Sequence, residues 1–227
     1  MLRAVMGSEQ VSQISRVRFV REPFCGLSHL SGAALSIAAT VYLLARADGH
    51  PWRVVSFAVY GTSLVVLYTA SGLAHSLYCA AAAQARLDRL DYAAIFVVIA
   101  GTYTPLCLVT LGGTWGWSLF AAQWLLAAVG VAAVLLGRPR SGALRTSIYL
   151  AMGWMALGVA PLLCAAMPPA ALGWLIAGGV VYSVGAAVFL SGRPALWPGR
   201  FGSHDLWHAL VLTGSACHFI VIARYVA

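Results

Sequence analysis

The chain has 227 residues, of which 61% are hydrophobic and only 9% are charged, and its mean hydropathy is +0.86. Soluble domains carry roughly 25% charged residues, so this composition excludes a globular protein with a fully solvated surface. The net charge of +8 comes from fourteen arginines and no lysine. Because the arginines are scattered and no aromatic residues are interleaved with them, the charge does not indicate a nucleic-acid-binding surface.

Residues 1–24 are polar and contain four arginines. They lack the compact apolar core and the small-residue cleavage site of a signal peptide. We expect residues 1–24 to be an N-terminal tail and residues 25–227 to form a single membrane domain.

Seven apolar runs follow, each long enough for a helix to cross a bilayer. Glycine, proline and arginine residues separate them, and the second run ends at the polar residues 84–89. The sequence therefore predicts an all-α fold, a bundle of seven transmembrane helices. The runs comprise residues 27–45, 54–77, 90–111, 115–136, 144–164, 170–190 and 206–226.

The arginines predict the orientation of this bundle. If the N-terminus is cytoplasmic, eleven arginines lie on the cytoplasmic side, and only Arg46, Arg53 and Arg224 lie outside. Cytoplasmic loops of membrane proteins are enriched in arginine and lysine. We therefore expect a cytoplasmic N-terminus and an external C-terminus.

Several polar residues lie at the cytoplasmic ends of the predicted spans. Ser71 and His75 lie one helical turn apart near the end of the second span. Asp91 begins the third span, and His204 and His208 begin the seventh. Ionisable residues inside membrane spans are costly and usually functional, so their common depth predicts a site at this end of the bundle.

The histidines have the spacing of metal ligands. His204 and His208 are four residues apart, which places both imidazoles on one helix face, about 5–6 Å apart at their Cβ atoms. With His75 they would form a three-histidine zinc site, which in catalytic zinc proteins leaves a fourth position for water. The alternative is a set of hydrated histidines that bind lipid headgroups or backbone carbonyls at the membrane interface.

Asp91 and Ser71 are the candidate catalytic residues, and each has a structural alternative. Asp91 would activate or orient water, or it would cap the third helix. Ser71 would donate a hydrogen bond to the substrate, or it would bond to the carbonyl four residues earlier. His218 lies about 15 Å deeper than His208, so we expect a buried, hydrogen-bonded histidine and no metal ligand there.

Three further features lie outside this site. We expect Glu22 to pair with an arginine or a backbone N–H, and His29 to line the mouth of the same interior. The five cysteines are spread singly, which favours apolar packing residues over a disulfide framework.

Sequence motifs resemble a known family. The segments L-D-Y-A-A-I-F (residues 90–96) and I-A-G-T-Y-T-P (residues 99–105) resemble the third-span signature of the hemolysin III family, within the progestin and adipoQ receptor (PAQR) group. Residues 22–29, the S-x-x-x-H of residues 71–75 and the H-D-L-W-H of residues 204–208 resemble its motifs in the first, second and seventh spans.

The resemblance implies a seven-span fold with zinc bound near the cytoplasmic face by His75, His204 and His208. It also implies that Asp91 holds the bound water and that Ser71 lies nearby. The alkaline ceramidases share this Ser, His, Asp, His, His pattern.

The sequence departs from the family pattern at three positions. Cys25 replaces the usual asparagine, Ala74 replaces a tyrosine, and Tyr92 replaces a histidine. These departures leave the proposed ligands intact but alter the pocket around them.

Two functions are compatible with these residues. The first is a zinc-dependent hydrolase of lipid amide or ester bonds, which takes its substrate from the membrane lipids. The second is a non-enzymatic receptor-like or membrane-perturbing (cytolytic) protein with a structural zinc. Both place the chain as a multi-pass protein of the bacterial plasma membrane, and neither predicts a nucleic-acid partner or an oligomeric state.

Overall fold

The computed structural model describes residues 20–137, 141–194, 196–197 and 199–227. Most of the expected tail of residues 1–24 therefore lies outside the described residues, as do Arg138 and Arg140 of the expected connection between the fourth and fifth spans.

The described residues form seven helices that are long and apolar enough to cross a membrane. Within those residues no strand is present, and Trp197 and Phe201 form an isolated bridge. The predicted all-α, seven-helix fold is confirmed. The helices are α1 (Pro23–Ala45), α2 (Pro51–Ser76), α3 (Ala81–Leu111), α4 (Gly113–Leu135), α5 (Gly142–Ala166), α6 (Pro169–Ser191) and α7 (Ser203–Val226).

Proline and glycine mark several helix boundaries. Proline occupies the first turn of α1, α2 and α6, where its missing N–H would have no helical partner in any case. Gly112 and Gly192 have φ values of 58° and 65°, and they end α3 and α6 in backbone conformations that other residues adopt at a cost.

Helix α3 begins nine residues before the predicted third span. Residues 84–89, which we expected to form a loop, are helical because alanine, glutamine, arginine and leucine are strong helix formers. The Gln84 side chain also donates hydrogen bonds to Asp88 at 2.7 Å and to the Ala74 carbonyl at 3.0 Å. Asp88 is therefore part of the helix.

Helix α5 is irregular at its centre. Residues Trp154–Val159 form a 3₁₀ stretch, which frees backbone groups from the regular helical pattern. The Tyr103 hydroxyl of α3 donates to the Gly153 carbonyl at 2.6 Å and accepts from the Ala156 N–H at 2.9 Å. Irregular backbone at membrane depth is tolerated where protein groups satisfy it in this way.

Close packing of small residues holds α2, α3 and α4 together. A Cβ atom at Gly101 of α3 would overlap Ser63 of α2, and a Cβ atom at Gly130 of α4 would overlap the ring of Phe96. Small residues at such contacts let helices approach closely in a membrane. Helices α2 and α3 are the most buried of the seven, and they carry Ser71, His75 and Asp91.

Candidate metal centre

Three histidine rings meet at one end of the bundle. His75 comes from the last turn of α2, and His204 and His208 come from the first turns of α7. The ring centroids are 4.6 Å apart for His75 and His208, 4.8 Å for His204 and His208, and 5.1 Å for His75 and His204. The structure thus brings together the three predicted metal ligands.

The spacing of the donor atoms suits a metal ion. The Nε2 atoms of His204 and His208 are 3.2 Å apart. Two nitrogen ligands of a tetrahedral zinc, each about 2.0–2.1 Å from the ion, lie about 3.3 Å from one another. Without a metal, the same distance suits a hydrogen bond between two neutral imidazoles.

Two overlapping groups of donors have all their ligand atoms within 4.8 Å of one another. One is Glu22, His75 and His204, and the other is Cys25, His204 and His208. The predicted trio is not one of these groups: His204 belongs to both, His75 only to the first and His208 only to the second. Imidazole, thiol and carboxylate are the donors that zinc prefers, so the residues present fit a zinc ion.

Asp91 lies beside this cluster and does not cap a helix. Its Oδ2 is 3.6 Å from His75 Nε2, and its side chain is 14% exposed. Because α3 begins at Ala81, Asp91 lies in the third turn of the helix, and the capping alternative is excluded. The carboxylate therefore lies within reach of a group bound at His75 Nε2.

Ser71 is buried one turn from His75 and lines the same cavity. Within the described helix α2, no hydrogen bond joins the Ser71 hydroxyl to the carbonyl of Leu67. Ser36 of α1, by contrast, makes such a bond to the Gly32 carbonyl at 2.7 Å. The hydroxyl of Ser71 is thus available to a ligand.

Glu22 orients His75. Its Oε2 lies 2.6 Å from His75 Nδ1, and its Oε1 lies 3.0 Å from Arg21 Nη2. The arginine pairing was expected, but the contact with histidine was not. Since Nδ1 is engaged by the carboxylate, Nε2 remains for a metal, which is the usual arrangement of a metal-binding histidine.

His29 orients His208 in a similar way. The Nε2 of His29 lies 3.1 Å from the Nδ1 of His208, and both rings are buried. Sequence reasoning placed His29 only at the mouth of the interior. Glu22 immediately precedes α1 and His29 lies seven residues later, about two turns, and this spacing is the signal that could have assigned both to one side of the helix.

Cys25 lies on that same face of α1 and contacts the start of α7. Its thiol donates to Asp205 Oδ1 at 3.2 Å, and Asp205 Oδ2 accepts the Gly202 N–H at 2.8 Å. Asp205 therefore caps α7 and joins it to α1. This contact fixes the position of the helix turns that carry His204 and His208.

A cavity of about 320 Å³ extends from the histidines into the bundle. Every described helix except α4 contributes to its lining, which is largely apolar beyond the cluster. Ser71, His75 and Asp91 line one end, and Tyr182 and His218 lie deeper. Such a space suits an apolar ligand whose polar end lies at the histidines.

His218 differs from our expectation of a hydrogen-bonded histidine. Its ring stacks on Tyr182 with centroids 5.7 Å apart, but its buried Nδ1 has no hydrogen-bond partner among the described residues. It lies too far from His208 to share a metal, as predicted from the sequence.

Comparisons with known proteins agree with this architecture. Residues 17–219 match a family model described as haemolysin-III related. Hemolysin-3 of Bacillus cereus is 37% identical over 216 residues, which cover 92% of this chain and 94% of the relative. The Hemolysin-3 homolog of Bacillus subtilis is 36% identical over 201 residues, which cover 88% and 91%.

A more distant relative belongs to the predicted wider group. The adiponectin receptor protein of Drosophila melanogaster is 24% identical over 222 residues, which cover 85% of this chain and 48% of the relative. The chain therefore belongs to the haemolysin-III-related family of integral, multi-pass membrane proteins.

Proposed function

We propose that this protein is a zinc-dependent hydrolase that cleaves an amide or ester bond of a membrane lipid. The observation that carries the proposal is the meeting of three imidazoles, the Asp91 carboxylate and the Ser71 hydroxyl at the end of a largely apolar cavity. His75, His204 and His208 are the proposed zinc ligands.

The proposed orientation places this site at the cytoplasmic leaflet. The uneven distribution of arginine supports a cytoplasmic N-terminus and an external C-terminus. In a bacterium the membrane would be the plasma membrane. A lipid would then lie with its acyl chain in the cavity and its headgroup near the cytoplasmic surface.

A zinc ion held by the histidines would supply a Lewis acid that polarises a carbonyl and makes water a stronger acid. Asp91 lies where it can orient a water molecule and accept its proton, since its carboxylate is 3.6 Å from His75 Nε2. The Ser71 hydroxyl can donate to the oxygen that becomes negative during attack on the carbonyl. The apolar cavity walls exclude other water from the reaction.

A second candidate is a receptor-like or cytolytic protein in which zinc is structural. Two observations favour it. The two Bacillus relatives carry the name hemolysin, and Glu22 offers a donor atom within 4.8 Å of His75 and His204, as Cys25 does for His204 and His208. Structural zinc sites have four protein ligands and leave no open position.

Metal analysis of the purified protein in detergent tests the site. We expect one zinc per chain, loss of zinc in His208→Ala and His75→Ala, and retention of zinc in the control His50→Ala, since His50 is exposed between α1 and α2. Absence of stoichiometric metal in the wild type would contradict both functions.

A screen of lipid hydrolysis products separates the two functions. We expect products from the wild type and none from Asp91→Asn, with zinc still bound. A protein that holds zinc but turns over no lipid class would support the structural role.

A further inference from the structure

A second polar cluster lies deeper in the bundle and adjoins the candidate metal centre, since the ring of one member, Tyr68, packs edge-on against His29 with centroids 5.0 Å apart. It consists of Tyr68 of α2, Tyr182 of α6, and Ser215 and His218 of α7. The Tyr68 hydroxyl donates to Ser215 Oγ at 2.6 Å, and the Tyr182 hydroxyl lies 2.8 Å from the same Oγ. Polar side chains at this depth are costly, and they usually face an interior that uses them.

The hydroxyls of Tyr68, Ser215 and Tyr182 carry three protons but form only two hydrogen bonds with one another, so one proton is left without an acceptor in the cluster. Tyr68 donates to Ser215, so the bond between Ser215 and Tyr182 has two arrangements. If Tyr182 donates, the buried Ser215 proton has no acceptor among the described residues. If Ser215 donates, both buried groups are satisfied, and the remaining proton belongs to Tyr182. The second arrangement is favoured because an unsatisfied buried donor is expensive.

Tyr182 is the only hydroxyl of these three that lines the cavity. Its remaining proton therefore faces the space that a ligand would fill. The cavity lining on these helices also includes the apolar side chains of Leu172 and Leu175 of α6 and Val211 of α7. A single donor in an apolar cavity fixes the position of one acceptor atom of a ligand.

His218 lies next to Tyr182 in the cavity wall. Its ring stacks on Tyr182 at an interplanar angle of 15° and lines the cavity, and its Nδ1 is buried without a partner among the described residues. The His218 ring therefore forms cavity wall beside Tyr182, whereas its Nδ1 atom is enclosed and is not open to a ligand in the cavity.

The distance from the histidines to the Tyr182 hydroxyl indicates how far along a lipid chain the oxygen that accepts its hydrogen bond lies. Ser215 is seven residues beyond His208, which is about 10 Å along the helix. Carbon–carbon bonds of about 1.5 Å advance an extended chain by about 1.3 Å per carbon, so about eight carbons span this distance. With an allowance for the gap between the histidines and a carbonyl, the acceptor lies about eight to twelve carbons along the chain.

We propose that the cavity binds an acyl chain with a hydroxyl or keto oxygen near its middle, and that this oxygen accepts a hydrogen bond from Tyr182. The direction of entry, with the carbonyl end at the histidines, rests on the proposed function. The hydrogen-bond donor at Tyr182 does not depend on it.

Competition binding with octadecanoic acids tests the proposal on the full chain in lipid nanodiscs. The ligands are the unsubstituted acid and its 2-hydroxy, 10-hydroxy, 10-oxo and 18-hydroxy derivatives, each measured with and without a metal chelator. We expect the two 10-substituted acids to bind about five- to tenfold more tightly than the unsubstituted acid, which is the size of one net hydrogen bond. The 2- and 18-hydroxy acids should show no such gain.

Three variants identify the donor. Tyr182→Phe should abolish the preference for the 10-position, so that the 10-substituted acids bind no more tightly than the unsubstituted acid. Tyr68→Phe should weaken the preference although Tyr68 does not line the cavity, because Ser215 is then free to accept the Tyr182 proton. Tyr149→Phe is the matched control: Tyr149 also lines the cavity, but its proton is already donated to the Tyr92 carbonyl at 2.7 Å.

Each outcome bears on the proposal. Equal affinities for all five acids, failure of all of them to bind, or a preference that survives Tyr182→Phe would overturn it. A positional preference that persists in a protein without bound zinc supports it, even though the proposed hydrolase function would then fail.

Discussion

Glu22 provides a sharp test of the candidate metal centre because it is not itself one of the proposed ligands. Its carboxylate accepts a hydrogen bond from His75 Nδ1 at 2.6 Å and so presents Nε2 to the ion. Glu22→Ala removes this acceptor and lets the ring rotate. We therefore expect the variant to bind zinc in the same stoichiometry but with lower affinity.

The magnitude follows from the exposure and pairing of the carboxylate. Loss of a group that orients a metal ligand typically costs 10- to 100-fold in affinity. The Glu22 side chain is 40% exposed and is shared with Arg21 at 3.0 Å, so water and the guanidinium already weaken its hold on His75. We expect the lower end of the range, about tenfold, which corresponds to about 1.4 kcal/mol.

Competition with a chelator of known zinc affinity measures this change in detergent. Glu22→Gln should lose less than Glu22→Ala, since the amide oxygen still accepts from Nδ1. Arg21→Ala is the matched control, and it should bind zinc at least as tightly as the wild type because it leaves the Glu22 charge to His75. Wild-type affinity in Glu22→Ala, or an equal loss in Arg21→Ala, would refute the assigned role.

Three further predictions concern the fold and its orientation. Gly101→Ala should destabilise the protein by about 1–3 kcal/mol in thermal unfolding, because its methyl group would overlap Ser63, whereas Gly173→Ala meets open space and should be neutral. Tyr103→Phe should cost roughly 1–3 kcal/mol in the same measurement, since it leaves two backbone groups of α5 without a partner. Cys79 is exposed between α2 and α3, so a single-cysteine variant should react with a membrane-impermeant maleimide only after the cells are permeabilised. Labelling of intact cells would invert the proposed orientation.

The fold could be predicted from the sequence because a bilayer imposes a simple rule on it. Each span must be apolar over its whole length, so a hydropathy pattern finds all seven helices. A hydropathy pattern does not detect helical residues outside the apolar segment. For this reason the sequence did not predict that α3 begins at Ala81. The pattern also does not detect irregular backbone within a span, such as the 3₁₀ stretch of α5.

The candidate site was predictable where its residues are neighbours on one helix. Ser71 with His75 and His204 with His208 follow from a spacing of four residues. The contacts of Glu22 with His75 and of His29 with His208 join residues 53 and 179 positions apart. Hydropathy shows that α1 crosses the membrane but not which of its faces turns toward α2 and α7, so these contacts required the structure.

The contacts of α1 also show why the proposed site and the packing of the helices are not separable. Helices in a bilayer gain little from the hydrophobic effect when they associate, so polar contacts and small residues hold them together. At this end of the bundle, α1 is joined to α2 through Glu22 and to α7 through His29 and Cys25. His208→Ala therefore removes a proposed ligand and also leaves His29 buried without its partner, which costs stability as well as metal. Glu22 is half-exposed, so water can reach the position that its carboxylate leaves beside His75 Nδ1, and its replacement changes metal affinity with less effect on packing. Comparing the stability and the metal affinity of these two variants therefore distinguishes two roles of the histidines. They either bind a metal at a site that helix packing holds in place, or they only hold the helices together.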